Sequence, residues 1–198
     1  MNTGKLIVFE GISGTGKETQ AKLLKVVLAK HGIKSRIVYH PTPELKLVLS
    51  SWRKKRKIDH ISEVYFLLAD RGDRVRQVIL PALAHGEWVI SLRSWISALV
   101  YQGKSADERN WIAHEFSHVE PQADSVFFFD ITPKDALVRI MRRYKKTGEA
   151  LGKFETPARL REKREAYKEV LSQVPHVRVD ASSTIERIHA DIRSSLGI

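Results

Sequence analysis

The feature that most constrains this chain lies near its start. The apolar run Lys5-Leu-Ile-Val-Phe9 leads into Gly11-Ile-Ser-Gly-Thr-Gly-Lys17. Ala21-Lys-Leu-Leu-Lys-Val-Val-Leu-Ala-Lys30 then repeats apolar residues at helical spacing and stops at Gly32. This order reads as strand, glycine-rich turn and helix. In such a turn, successive backbone N–H groups point inward at anionic oxygens, and the helix start adds unpaired N–H groups and the positive end of its dipole. Glycines let a phosphate approach the backbone, and Lys17 reaches β- and γ-phosphate oxygens. The candidate cradle is Gly11, Ser13, Gly14, Thr15, Gly16, Lys17, Glu18 and Thr19. The strict pattern G-x-x-x-x-G-K-[ST] places a magnesium-binding hydroxyl directly after the lysine. Here Glu18 occupies that place and Thr19 follows, so these two are the candidate metal ligands.

The rest of the chain repeats the strand-then-helix alternation. Short apolar runs at Ser35–Tyr39, Glu87–Ser91, Asp124–Asp130 and Val177–Asp180 read as four further strands. The breakers in His40-Pro-Thr-Pro43 close the second of the five. A helical stretch from about Ile61 to Ala84, interrupted by Gly72 and Pro81, ends at His85-Gly86, and Thr132-Pro133 opens a basic helix that Thr147-Gly148 breaks. Strands that are apolar throughout, each followed by a helical segment, predict a parallel sheet covered on both faces. The polar stretch 145–156 between two charged helices reads as a lid or, more plainly, as a surface loop. With no internal repeat and no dividing linker, the 198 residues predict one α/β domain.

Composition narrows the function. The chain has no cysteine, which excludes disulfide scaffolds, thiolate metal sites and a thiol nucleophile. No segment approaches the roughly 18 apolar residues of a membrane helix, so the expected location is the cytoplasm. Lys and Arg total 34 against 23 Asp and Glu, a formal charge of +11 that favours anionic partners: nucleic acid, a membrane surface or phosphorylated small molecules. The densest run, Arg53 to Lys57 after Trp52, reads as a solvated helix or loop face in preference to a nucleic-acid patch.

Several fragments, in order, resemble the nucleoside monophosphate kinases, and thymidylate kinases in particular. Val8-Phe-Glu-Gly11 with Gly16-Lys-Glu-Thr-Gln20 resembles that family's opening, and Leu68-Ala-Asp-Arg71 its monophosphate-side helix. Val78 to Ile90 resembles the lead into its third strand. Tyr101-Gln-Gly103, Arg161 to Tyr167 and Val179-Asp-Ala-Ser182 match later elements. The resemblance implies a three-layer, doubly wound, five-stranded parallel sheet of the P-loop nucleoside triphosphate hydrolase fold, with a lid at about 145–156. It implies transfer of the γ-phosphoryl group of Mg-ATP to dTMP, with ATP and Mg2+ required, and a homodimer.

Roles follow from the resemblance residue by residue. Arg71 would hydrogen-bond the pyrimidine, Arg93 would hold the acceptor monophosphate, Tyr101 would lie under the sugar, and Gln102 beside the base. The phosphate loop carries no arginine. This is similar to the subtype whose catalytic arginine comes from the lid, with Arg143 as the candidate and Arg139 against the adenine. Arg142, Lys145, Lys146 and Lys153 are secondary candidates. Three positions depart from the family. Leu92 stands where an aspartate precedes Arg93, so Glu10, Glu18 or Glu44 would have to supply that carboxylate. The loop His40 to Glu44 lacks an arginine. Leu67 replaces the base-stacking phenylalanine, with Phe66 one place away. These departures keep two alternatives open: another nucleoside monophosphate as acceptor, or a nucleotide-binding protein without catalysis whose basic surface binds nucleic acid or a partner.

Overall fold

The computed structural model describes residues 4–55, 58–148 and 151–198. The basic run extends to Arg56 and Lys57 and the 145–156 segment includes Glu149 and Ala150; these four lie outside the described residues. Strands β1 (Leu6–Glu10), β2 (Ser35–Tyr39), β3 (Trp88–Leu92), β4 (Ser125–Asp130) and β5 (Val177–Asp180) form one sheet in the order β2-β3-β1-β4-β5. All four pairings are parallel, with Phe9 opposite Leu92 on one side and Phe127 on the other. This is the doubly wound α/β sheet expected from the sequence. The residues of β1 and β3 are buried throughout because helices cover both faces. Phe9 meets the rings of Phe127 and Phe129 at 5.6 and 4.9 Å, which puts the densest aromatic packing beneath the central strand.

Strand β1 lies between β3 and β4, so the chain leaves it toward β3 on one side and β4 on the other. A crevice opens where the strand order reverses, beyond the carboxyl ends of these strands. Glu10, Arg93 and Asp130 stand at that edge.

The helices are α1 (Lys17–Lys30), α2 (Pro43–Lys55), α3 (His60–Arg74), α4 (Leu80–Ala84), α5 (Trp95–Gln102), α6 (Ala106–Ser117), α7 (Pro133–Thr147), α8 (Pro157–Leu171) and α9 (Ile185–Leu196). The breakers at 40–43 do more than end β2. Thr42 Oγ1 accepts the Leu45 N–H at 3.3 Å and Pro43 takes the first helical position, so the same four residues open α2, a helix the hydrophobic pattern conceals. Gly72 and Pro81 leave the run from His60 to Ala84 helical. A Cβ on Gly72 would stand 3.0 Å from Val119 Cγ1, so this glycine serves close packing inside α3. Ahead of Pro81, which has no N–H to donate, the helix widens into a π-helical turn at Val75–Ile79 and continues as α4. Thr132 and Thr156 cap α7 and α8, each followed by a proline, and Gly148 at φ +68° ends α7.

Candidate active site

The loop between β1 and α1 is built on three left-handed glycines: Gly11 (φ +137°), Gly14 (φ +81°) and Gly16 (φ +87°). A Cβ on Gly11 would lie 2.6 Å from the Phe129 carbonyl oxygen, and one on Gly14 2.6 Å from that of Ala136. The loop therefore sits directly on β4 and α7, as an alanine at either place would not allow. Lys17 Nζ turns back over it, donating to the carbonyls of Gly11 and Ile12 at 2.8 Å each and to Thr15 Oγ1 at 2.9 Å. Burial, and after it the Arg93 charge, push Lys17 well below its ordinary pKa, with Glu10 and Glu18 opposing. Anionic phosphate oxygens are stronger acceptors than these neutral ones, so the ammonium is poised to exchange loop for ligand. Glu18 and Thr19 are exposed in the first turn of α1.

On the neighbouring strand end, Arg93 adopts φ +76°, a conformation that costs a side-chain-bearing residue energy and clusters at functional sites. Its backbone N–H binds the Phe9 carbonyl at 3.0 Å, and its guanidinium donates to Ser97 Oγ at 3.1 Å and Tyr167 Oη at 2.8 Å. The guanidinium carbon lies 5.0 Å from the Tyr101 ring centroid. Burial works against the Arg93 charge, but Tyr101, Tyr167 and Glu10 outweigh it and raise the pKa above the ordinary arginine range.

Glu10 is fully buried behind this arginine. It accepts from the Ser94 N–H and hydroxyl at 2.8 and 2.7 Å, from Ser97 Oγ at 2.7 Å and from Tyr167 Oη at 2.9 Å. Its oxygens are thus occupied by protein donors. Of the other carboxylates considered in place of the one lost at Leu92, Glu44 lies exposed on α2 and Glu18 stands at the phosphate loop; Leu92 itself is core. Asp130, at the end of β4, is paired with Arg164 at 2.6 Å and Arg178 at 2.6 Å.

Tyr167 and Ser97 join Arg93 to Glu10, yet nothing in their sequence setting singles them out chemically. Tyr167 lies in register with Leu160, Lys163, Val170 and Leu171 on the buried face of α8, where an aromatic reads as core. Phe128 does stack on its ring at 5.7 Å, but its hydroxyl enters the polar cluster. Tyr167→Phe is expected to lower kcat about tenfold with a smaller change in KM, because Arg93 and Glu10 lose a common partner while the ring packing survives. Steady-state kinetics beside a melting curve checks this.

On the other wall, Tyr101 makes edge contacts with Phe154 at 4.8 Å and Tyr167 at 6.2 Å. Gln102 is buried and donates its amide to Glu63 at 3.3 Å. Phe66 meets Trp52 edge-on at 4.9 Å, and Leu67 is core. Arg71 is wholly buried, donating to Ser91 Oγ at 3.1 Å and to Glu120 Oε1. A base contact from Arg71 requires this arm to leave Glu120. Arg53, first of the basic run, forms a two-point ion pair with Glu63 at 2.7 and 2.8 Å, so its charge is turned inward.

The 145–156 segment reaches back to the phosphate loop. Glu155 accepts from Arg143 at 2.8 and 2.9 Å, from the Gly152 N–H at 2.9 Å, and from the Ser13 hydroxyl. Burial tends to raise its pKa, and these donors hold it below the usual carboxylate value. Arg139, one turn earlier on the same face of α7, is half-buried; Arg142 and Lys153 are exposed.

A glycine cradle on the central strand, a lysine at its mouth, a strained arginine on the next strand and a basic strap over both define the class: a P-loop nucleotide-binding phosphotransferase. A family model described as thymidylate kinase matches residues 9–192. A "Probable thymidylate kinase" of Thermococcus gammatolerans is 34% identical over 201 residues, spanning 96% of this chain and 94% of the relative. One of Pyrococcus horikoshii is 35% identical over 198 residues, with 96% and 94% covered. A "Thymidylate kinase" of Akkermansia muciniphila is 32% identical over 197 residues, with 98% and 92% covered. The chain belongs to the thymidylate kinase family.

Proposed function

We propose that the protein transfers the γ-phosphoryl group of ATP to dTMP, giving dTDP and ADP. One observation carries this reading. Lys17, at the start of α1 on the loop that follows β1, and Arg93, directly after the neighbouring strand β3, lie close enough that the Arg93 charge helps depress the Lys17 pKa. A phosphate on the glycine loop and a second on Arg93 would face each other across that gap. Phosphoryl transfer asks little more of a protein than such positioning and charge neutralisation.

In this mechanism Gly11 to Gly16 hold the donor phosphates, and Lys17 follows the charge that builds on the oxygen bridging β- and γ-phosphates. Arg93 fixes the acceptor phosphate in line, its direction set by Tyr167 and Ser97. Tyr101 supports the sugar, while Gln102 and the Phe66 side of α3 bound the base. Arg71 adds a base contact if it exchanges Glu120 for ligand. Arg143 leaves Glu155 for the transferring phosphoryl, Arg139 flanks the adenine, and the 145–156 strap excludes water. The oxygens of Glu18 and Thr19, exposed in the first turn of α1, would hold Mg2+ beside the phosphates, where it would neutralise their charge. A single domain and a homodimer belong to the same proposal, and light scattering reads the assembly. No helix of the described residues is long and apolar enough to cross a membrane.

The test is ADP release with ATP and Mg2+ against each common nucleoside and deoxynucleoside monophosphate, with an EDTA control. Preference for dTMP supports the proposal. Preference for another acceptor transfers it to that substrate, and silence with all of them refutes it. Arg143→Ala is expected to cut kcat about thirtyfold, less than the hundredfold or more of a fully buried donor, because its side chain is 37% exposed. Single-turnover rates check this.

A further inference from the structure

The pair Glu63 and Gln102 was not expected from the sequence and has a chemical polarity. Glu63, on α3, is 3% exposed, and Arg53 donates to both of its oxygens at 2.7 and 2.8 Å. Burial alone would raise its pKa; the Arg53 hydrogen bonds and charge, Gln102, and the charge of Lys153 outweigh it and hold the carboxyl below its ordinary value. An ionised carboxylate can only accept. The Gln102 group 3.3 Å from Glu63 Oε2 is therefore the NH2 end of the amide, whichever way electron density alone would allow it to be placed. The Gln102 carbonyl oxygen is thereby turned away from Glu63 as an acceptor.

We propose that Glu63 is a specificity-positioning residue: by fixing the Gln102 amide, it presents a hydrogen-bond acceptor to the base and selects pyrimidines that carry a ring N3–H. This rests on the proposed placement of Gln102 beside the base. Thymine and uracil offer N3–H to the Gln102 oxygen, whereas cytosine offers a lone pair at that position. For Gln102 to turn and donate to cytosine, its oxygen would have to face the Glu63 carboxylate, with no proton between them, in a buried site. Sites built on a committed hydrogen bond reject the mismatched partner far more strongly than apolar pockets do. An apolar wall cannot discriminate in this way, so the burden falls on the amide.

The test compares kcat/KM for dTMP and dCMP in wild type, Glu63→Gln and Gln102→Leu. A neutral amide at 63 both donates and accepts, so Gln102 gains both orientations. In Glu63→Gln the dTMP-to-dCMP ratio is expected to fall at least about tenfold, toward that of Gln102→Leu, through KM and with kcat for dTMP nearly kept. Arg53→Met weakens the same carboxylate from another helix and is expected to move the ratio in the same direction, which covers the case where Glu63→Gln folds poorly. An unchanged ratio in folded Glu63→Gln, or in Arg53→Met should the former not fold, overturns the inference while leaving the kinase intact. A wild type with no thymine preference overturns the underlying substrate reading instead.

Discussion

Lys17→Ala is expected to fold and to lose about a thousandfold in kcat, measured as ADP release at saturating ATP and dTMP. The lysine bears on the charge that develops between β- and γ-phosphates, and no other cation comes from the glycine loop. Its removal leaves the Gly11 and Ile12 carbonyls and Thr15 Oγ1, all buried, without their donor, at a cost of about 1–3 kcal/mol. Against this, burial depresses the Lys17 pKa, so the folded state disfavours the charge it carries. That penalty is full below the depressed pKa and is lost as pH rises from there to the ordinary lysine value, so below that value the variant has a cost removed. The two effects oppose each other, so the melting temperature should change little while activity collapses. A melting temperature that falls by many degrees would mean that the ammonium is chiefly a clasp for the loop.

Arg93→Ala is expected to produce the same thousandfold loss, expressed chiefly in kcat/KM for the acceptor, but with a clear loss of stability. This arginine is bound into the fold: Tyr167, Ser97 and the Tyr101 ring surround it, and the charge of Glu10 behind them favours its own. Removing it leaves polar groups buried without a donor, at a cost of about 1–3 kcal/mol. Arg93→Lys restores charge without the planar fork and should recover only a small part of the rate. Kinetics and calorimetry on the three proteins separate Lys17, which acts on the reaction, from Arg93, which acts on the reaction and the fold together. Wild-type turnover in either alanine variant would refute the assignment.

The two sites differ in how visible they were in the sequence. The phosphate loop is local in its order, strand, glycines, lysine and helix within residues 6–30, although the close approaches that Gly11 and Gly14 make to Phe129 and Ala136 come only with the fold. The same locality holds for the five strands and the proline-marked helix start at Thr132. Helix α2 was hidden because residues 40–43 are breakers and first-turn residues at once, and α3 ran on through Gly72 and Pro81 because packing and a π-helical turn absorbed them.

The acceptor wall was legible only in part. Arg93, Tyr101 and Gln102 could be named from the resemblance, but not what each one touches. Glu10 meets Tyr167 across 157 positions of sequence, and Gln102 meets Glu63 across 39. Arg71, assigned a base contact, donates to Glu120, 49 positions away.

By itself the sequence determined the parallel sheet, the phosphate cradle and the residue types available at the strand ends, because these depend on periodicity and on backbone freedom over short spans. Only the tertiary structure decided which carboxylate each cation serves: Arg53 on Glu63, Arg71 on Glu120, Arg143 on Glu155, Arg93 toward Glu10. A charge is satisfied by whatever folding brings within about 3 Å, and in a chain with 34 basic and 23 acidic residues that choice is made by the packing of helices on the sheet.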